Sequence, residues 1–198
     1  MPATLRPRRS LLFVPGANPR ALAKARTLAA DGLIIDHEDA VAPDVKESAR
    51  AITAAALAEA GYGGRELVLR VNPIDTPWGH ADLAAAATLP IDAVLLPKVE
   101  SADRVRLTLS LLDALGASER LAVWCMIETP LGVLAAREIA AASSRLAALV
   151  LGNSDLTQGT ARRCHSLSPA ADDLARPGDA RRPRLWARDP RRRPSQSV

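Results

Sequence analysis

Aromatic side chains are nearly missing from this chain: three tryptophans, one tyrosine and one phenylalanine are spread over 198 residues. The apolar core has to be assembled from Ala, Leu and Val, which suits helices packed closely on parallel strands better than a sandwich. Cysteine is as scarce. Cys125 and Cys164 form no spaced metal set, and two thiols in so long a chain exclude a disulfide scaffold and point to a reducing, cytoplasmic compartment. No apolar run reaches the length of a membrane span, and the opening MPATLRPRRS has charge without the apolar stretch of a signal peptide before Pro15-Gly16. No membrane partner is expected.

An even excess of one charge is lacking too. The formal net charge is +4, yet residues 162–198 hold ten arginines against four aspartates, which leaves sixteen basic and eighteen acidic residues in 1–161. The body is near neutral, so a general affinity for polyanions is excluded there. The basic stretch also takes five of the fifteen prolines and has no apolar period, so it reads as disordered. A nucleic-acid arm would interleave aromatics among its arginines, and only Trp186 stands there, so no nucleic-acid partner is expected. The domain reading is a catalytic body at 1–161 followed by an irregular tail at 162–198.

What the body does contain is a repeat. The apolar, branched runs SLLFV, GLIID, ELVLRV, DAVLLP, LAVWCMI and AALVLG start 22, 34, 26, 29 and 26 residues apart, the spacing of strand, loop, helix and loop. Between them, residues 18–30, 45–60, 101–115 and 131–146 place Leu, Ile, Val or Ala at three- and four-residue intervals with charges opposite, as amphipathic helices do. Asn18 before Pro19, Pro43-Asp44 and Ser101 read as helix starts. Strands apolar on both faces fit a parallel sheet covered by helices. Six such units predict either an incomplete (β/α)₈ TIM barrel or an open doubly wound sheet, since a complete barrel takes about 250 residues and eight strands.

In both architectures chemistry collects where parallel strands end. Those exits carry Pro15-Gly16, then Asp36, His37, Glu38 and Asp39, then Arg70 with Asn72, Pro97-Lys98, Glu128-Thr129-Pro130, and Asn153-Ser154-Asp155. Glu128 follows an almost wholly apolar run, where a carboxylate is costly unless a cation holds it. Asp155, one unit on, is positioned to ligate the same cation, and two carboxylates with waters and a chelating substrate are a usual setting for Mg²⁺. The plainer alternative is two rim carboxylates that are solvated or cap helices. Arg70 closes an apolar strand and offers a planar fork to a substrate carboxylate, or equally a salt bridge to Asp36, Glu38 and Asp39. Cys125 reads as strand filling, and His37 is given no role.

Six motifs in order, RSLLFVPGANPR, DHEDAV, LRVNPIDTPWG, LLPKVES, MIETPLGV and LGNSDLT, resemble the citrate lyase beta-subunit family (HpcH/HpaI aldolase/citrate lyase type) of the phosphoenolpyruvate/pyruvate barrel superfamily over residues 9–160. His37 departs from it, standing where the family commonly has an apolar residue. The resemblance implies a TIM barrel that uses Mg²⁺ to cleave a carbon–carbon bond in a 3-hydroxyacyl thioester of the citryl, malyl or citramalyl kind, carried by coenzyme A or an acyl carrier protein, giving a 2-oxo acid and an acyl thioester. It implies Glu128 and Asp155 as metal ligands, Glu128 and Arg70 as catalytic and substrate-binding, and Asp36, Glu38 and Asp39 as supports behind them. Pro15, Gly16 and Asn18 would line the thioester side, and full-length relatives would be homo-oligomers. Such relatives continue past Asp155 with further strands and a catalytic aspartate, whereas the motifs here stop near Gly159-Thr160. Arg- and Pro-rich sequence is what GC-rich codons give out of frame, so the expectation is a truncated, frameshifted C-terminus, and the alternative to a lyase is an inactive remnant that still binds metal and oxo acid.

Overall fold

The computed structural model describes residues 8–157. Six strands, β1 (Leu11–Pro15), β2 (Gly32–Asp36), β3 (Glu66–Arg70), β4 (Ala93–Leu96), β5 (Ala122–Ile127) and β6 (Leu146–Leu151), form one sheet in the order β1-β2-β3-β4-β5-β6, every pair parallel. Helices α1 (Pro19–Ala25), α2 (Lys46–Ala58), α3 (Gly79–Thr88), α4 (Ala102–Ala114), α5 (Pro130–Leu134) and α6 (Ala136–Ala140) fill the crossovers. A doubly wound sheet must reverse its strand order, and this one never does. Because parallel crossovers are right-handed, a monotonic order puts all the helices on one face and curls the sheet toward the other, which is the arc of a TIM barrel.

Strand alternation divides the apolar residues accordingly. Leu33 and Ile35, Leu69, Val94 and Leu96, and Val123, Cys125 and Ile127 face the helices and pack with Leu22, Leu83, Leu109 and Leu112. Ile34, Val68, Ala93, Leu95, Trp124 and Met126 form a second, smaller cluster on the concave face. Asp36 and Arg70 have the concave parity and are register partners at the ends of β2 and β3. The barrel interior thus turns polar where the strands stop. At its other end, Arg8 forks onto the buried Glu66 at 2.6 and 2.8 Å and lies 5.0 Å from the Trp124 ring.

The helix starts follow the local chemistry. Asn18 accepts the Ala21 amide at 3.1 Å ahead of Pro19, and Ser101 accepts that of Arg104 at 3.3 Å. Pro43–Val45 forms a 3₁₀ turn before α2. Two readings are corrected. Helix α3, GHADLAAAAT, went unread because its alanines blur any apolar stripe. The single helix expected over 131–146 is two short ones, broken at Ala135, whose backbone leaves the helical region at φ −89°, ψ 2° with no glycine or proline to announce it.

No helix among the described residues is long and apolar enough to cross a membrane. The chain divides into two units, Met1–Arg162 and Arg163–Val198, and the described residues all belong to the first. The readings of 162–198 as disordered, out of frame and without nucleic-acid function lie outside them.

Candidate active site

The centre of the site is an ion pair made by two adjacent strands. Asp36 receives Arg70 as a fork, Nε to Oδ1 at 2.7 Å and Nη2 to Oδ2 at 2.6 Å, and also accepts the amides of Glu38 (2.8 Å) and Ala40 (3.0 Å). Burial works to raise the Asp36 carboxyl, but the guanidinium and the two amides outweigh it and hold the group below the usual carboxylate range. Burial works against the Arg70 charge too, and Asp36, Glu38 and Asp39 more than restore it. Nη1 of Arg70 stands 2.8 Å from Glu38 Oε2 and 3.1 Å from Asp39 Oδ2. The contact with Glu38 Oε2 is one of charge, without hydrogen-bond alignment. Of the two roles open to Arg70, the salt bridge to the acidic loop is the one realised here.

Beside this pair lies a cavity of about 270 Å³ that Asp39, Arg70, Met126, Glu128, Gly152 and Asp155 help to line. Glu128 is 3% exposed, and burial raises its carboxyl above the ordinary range, with Asp155 adding to the shift. One compensating donor is the Lys98 amide, 2.8 Å from Glu128 Oε1. That amide is aimed by a backbone φ of +49° at Lys98, a left-handed conformation uncommon for a side-chain-bearing residue and typical of strained functional turns. The Lys98 ammonium reaches Glu38 Oε1 at 2.5 Å and Asp155 Oδ2 at 3.8 Å, so it bridges the acidic loop and the end of β6. Glycine is required at 152: a Cβ there would come 2.6 Å from Glu128 Cβ and 2.8 Å from its Oε2.

No group of three or more His, Cys, Asp or Glu among the described residues is arranged to hold a metal. Two carboxylates on one cavity, Glu128 and Asp155, are what the chain offers, a donor set that suits a hard divalent cation keeping water or substrate oxygens for the rest. A second cleft, about 450 Å³, lies against the loops after β3 and β4, lined by Asn72, Ile74, Asp75, Pro97, Lys98 and Arg104 among others; Lys98 and Asn72 join it to the acidic loop.

Behind the acidic loop stands a buried bracket that sequence reasoning missed. The Lys46 ammonium donates to His37 O (2.9 Å), Glu38 O (2.8 Å) and Asn72 Oδ1 (2.7 Å), which uses all three of its hydrogens, and lies 5.2 Å from the Trp78 ring. Asn72 passes its own amide hydrogens to His37 O (2.8 Å) and Asp82 Oδ2 (2.7 Å). His37 Nε2 pairs with Thr53 Oγ1 at 2.9 Å, and that hydroxyl reaches Gly16 O at 3.2 Å. The available signal was positional: Lys46 and Thr53 fall on the stripe of α2 that buries Ala49, Ala56 and Leu57. A charged residue in an apolar stripe has to find partners inside.

The other expected residues are placed as follows. Pro15 is the register partner of Asp36, the Gly16 amide donates to Asp36 O at 2.9 Å, and Asn18 caps α1. Pro15 and Gly16 flank the acidic loop, and none of the three lines the 270 Å³ cavity. A Cβ at Gly16 would meet the His37 ring at 2.5 Å, so the two loops pack tightly. Cys125 faces the helices, and burial pushes its thiol up to about 12, which removes it as a nucleophile.

Known proteins carry the same arrangement of sequence. The chain is 46% identical over 152 residues to a (3S)-malyl-CoA thioesterase of Cereibacter sphaeroides (strain KD131), covering 77% of this chain and 51% of that protein. It is 40% identical over 158 residues to the citrate lyase subunit beta of Leuconostoc mesenteroides subsp. cremoris, covering 76% and 51%. Among solved structures, the citrate lyase beta subunit of M. tuberculosis complexed with oxaloacetate and magnesium superposes with a TM-score of 0.62 at 32% identity, covering 78% of this chain and 63% of that one. The CitE protein of that organism in complex with magnesium, acetoacetate and coenzyme A gives a TM-score of 0.62 at 33% identity, covering 84% and 56%. The chain spans about half the length of the curated relatives it matches. With the family profile matching residues 9–174, this chain belongs to the HpcH/HpaI aldolase/citrate lyase family.

Proposed function

We propose that the chain carries the site of a Mg²⁺-dependent carbon–carbon lyase that splits a 3-hydroxyacyl thioester of the malyl, citramalyl or citryl type into a 2-oxo acid and an acyl thioester. The observation that carries this is the meeting of Glu128, Asp155 and Arg70 on one cavity at the strand ends. Glu128 and Asp155 would hold the cation; when bound, it supplies Lewis acidity to the oxygen that changes from hydroxyl to carbonyl and to the adjoining carboxylate. Arg70, fixed in orientation by Asp36, presents Nη1 toward the cavity to align the acid end of the substrate. The Lys98 amide keeps Glu128 from rotating away. Lys46 holds the peptide carbonyls of His37 and Glu38 back, which leaves the side chains of the acidic loop directed at Arg70. Solvated or capping roles for Glu128 fit its burial poorly.

The thioester is carried by coenzyme A or an acyl carrier protein, with Pro15, Gly16 and Asn18 on its side of the site, and the protein works in the cytoplasm as a homo-oligomer. The malyl-CoA thioesterase among its relatives favours one second reading, hydrolysis of the same thioester. Both are tested by incubating the full chain with Mg²⁺ and malyl-, citramalyl- or citryl-CoA. A 2-oxo acid formed without free thiol, and lost in Glu128→Ala, supports the lyase. Free coenzyme A without oxo acid supports the hydrolase. Mg²⁺ and oxo-acid binding without either product leaves an inactive remnant, and no binding at all refutes the site.

A further inference from the structure

Arg70 meets three carboxylates, and they are not equivalent. Asp36 is 2% exposed and holds two guanidinium nitrogens at 2.6 and 2.7 Å. Glu38 is 7% exposed and is shared with Lys98. Asp39 is 57% exposed, makes the longest of the contacts at 3.1 Å, and makes it to Nη1, the nitrogen that also faces Met126 Sδ at 3.8 Å. Asp39, Arg70 and Met126 all line the 270 Å³ cavity. Nη1 also has Glu38 Oε2 at 2.8 Å as an unaligned charge contact, so the solvated Asp39 is the carboxylate hydrogen bonded to that nitrogen and the readiest of the three to give way to an incoming acid.

We propose that Asp39 is an internal stand-in for the substrate carboxylate: it occupies Nη1 of Arg70 when the cavity is free, and an oxo acid binds by displacing it. The inference rests on the site reading above and adds to it a residue that sets how tightly acids are taken. The exchange trades one carboxylate for another on the same donor, so Arg70 stays paired throughout and is never left as an uncompensated buried charge. Displacing Asp36 instead would break a doubly bonded, buried fork. A half-exposed carboxylate that returns to water loses little, because exposed ion pairs are weak.

The test is pyruvate binding to the full chain by calorimetry at saturating Mg²⁺, comparing the unsubstituted protein with Asp39→Ala, Asp39→Asn and Arg70→Gln. Removing the competitor is expected to tighten pyruvate binding by about five-fold in Asp39→Ala, with Asp39→Asn in between because its amide oxygen still accepts from Arg70 weakly. A gain in affinity is an outcome that structural damage does not mimic, and the exposure of Asp39 leaves the melting temperature near that of the parent. Equal or weaker pyruvate binding in both Asp39 variants, with binding intact in the parent and lost in Arg70→Gln, overturns the exchange and leaves the site standing. No pyruvate binding by parent or variants overturns both.

Discussion

Replacing Gly152 by alanine puts a single methyl group against the side chain on which the proposed metal site depends. The nearest approaches, 2.6 Å to Glu128 Cβ and 2.8 Å to Oε2, fall well inside the 3.4 Å of an ordinary carbon contact, so something must move by about 0.8 Å. The closest contact, Cβ to Cβ, is one that no rotation of the Glu128 side chain relieves, so the ends of β5 and β6, joined by Gly152 N to Ile127 O at 3.0 Å, must shift and carry the Glu128 carboxylate with them. Overpacking of this kind costs about 1–3 kcal/mol, and in a protein this size each kcal/mol lowers Tm by about 2–4 °C. The fold should survive. A displacement near 1 Å at a positioned group costs about a hundred-fold in function, and a shift of Glu128 also weakens the bond from the Lys98 amide. We therefore expect Gly152→Ala to lose Mg²⁺ affinity by about ten-fold or more in calorimetry while its Tm falls by only a few degrees. Mg²⁺ affinity equal to the parent's, at a similar Tm, would show that Glu128 is not a ligand.

Three further outcomes follow from the same geometry. Asp36 titrates below its ordinary value in the folded chain, so its contribution to stability is present above the unfolded carboxylate pKa of about 3.9 and is lost as pH falls through the depressed value; the Tm gap between parent and Asp36→Asn should close in that acid window and stay constant above it, and a gap that does not narrow refutes the pairing. Lys46→Met strands Asn72 Oδ1, while His37 O keeps the Asn72 amide and Glu38 O the Val41 amide, and is expected to cost about 2 kcal/mol, read as a fall in Tm of about 4–8 °C, with a change under 2 °C counting against the bracket. In a Cys164→Ser background, Cys125 should react with a disulfide reagent only after denaturation, and rapid labelling of the native protein contradicts its burial.

The strands and the parity of the site were legible because both depend on local sequence. GLIID and ELVLR alternate between the two faces of the sheet, so Asp36 and Arg70 follow from Ile34 and Val68 onto the concave side, and Glu128 follows from Trp124 and Met126. What joins one exit to another was not legible. Whether Arg70 would meet a substrate or its own acidic loop depended on the register of β2 with β3, which no single segment specifies. Lys98 stood at a strand exit in the sequence, but its role comes from a left-handed backbone that neither glycine nor asparagine signals. The bracket of Lys46, Asn72 and Asp82 joins two helices and a loop separated by up to 36 residues, and its members are ordinary polar residues until they are buried together.

The charges explain why these parts belong together. Around the cavity, Asp36, Glu38, Asp39, Glu128 and Asp155 face Arg70 and Lys98, an excess of three carboxylates when all are ionised; the carboxyls of Glu38 and Glu128 are raised first by burial, with neighbouring carboxylates adding to it. A field of that sign repels the acid that Arg70 is proposed to grip. On the proposed reading, a divalent cation on Glu128 and Asp155 would cut that excess from three to one, so acid binding and cation binding would be coupled, and by linkage each would strengthen the other by the same factor. The carboxylate excess on the cavity would then make the proposed acid bind more tightly once the proposed metal is in place.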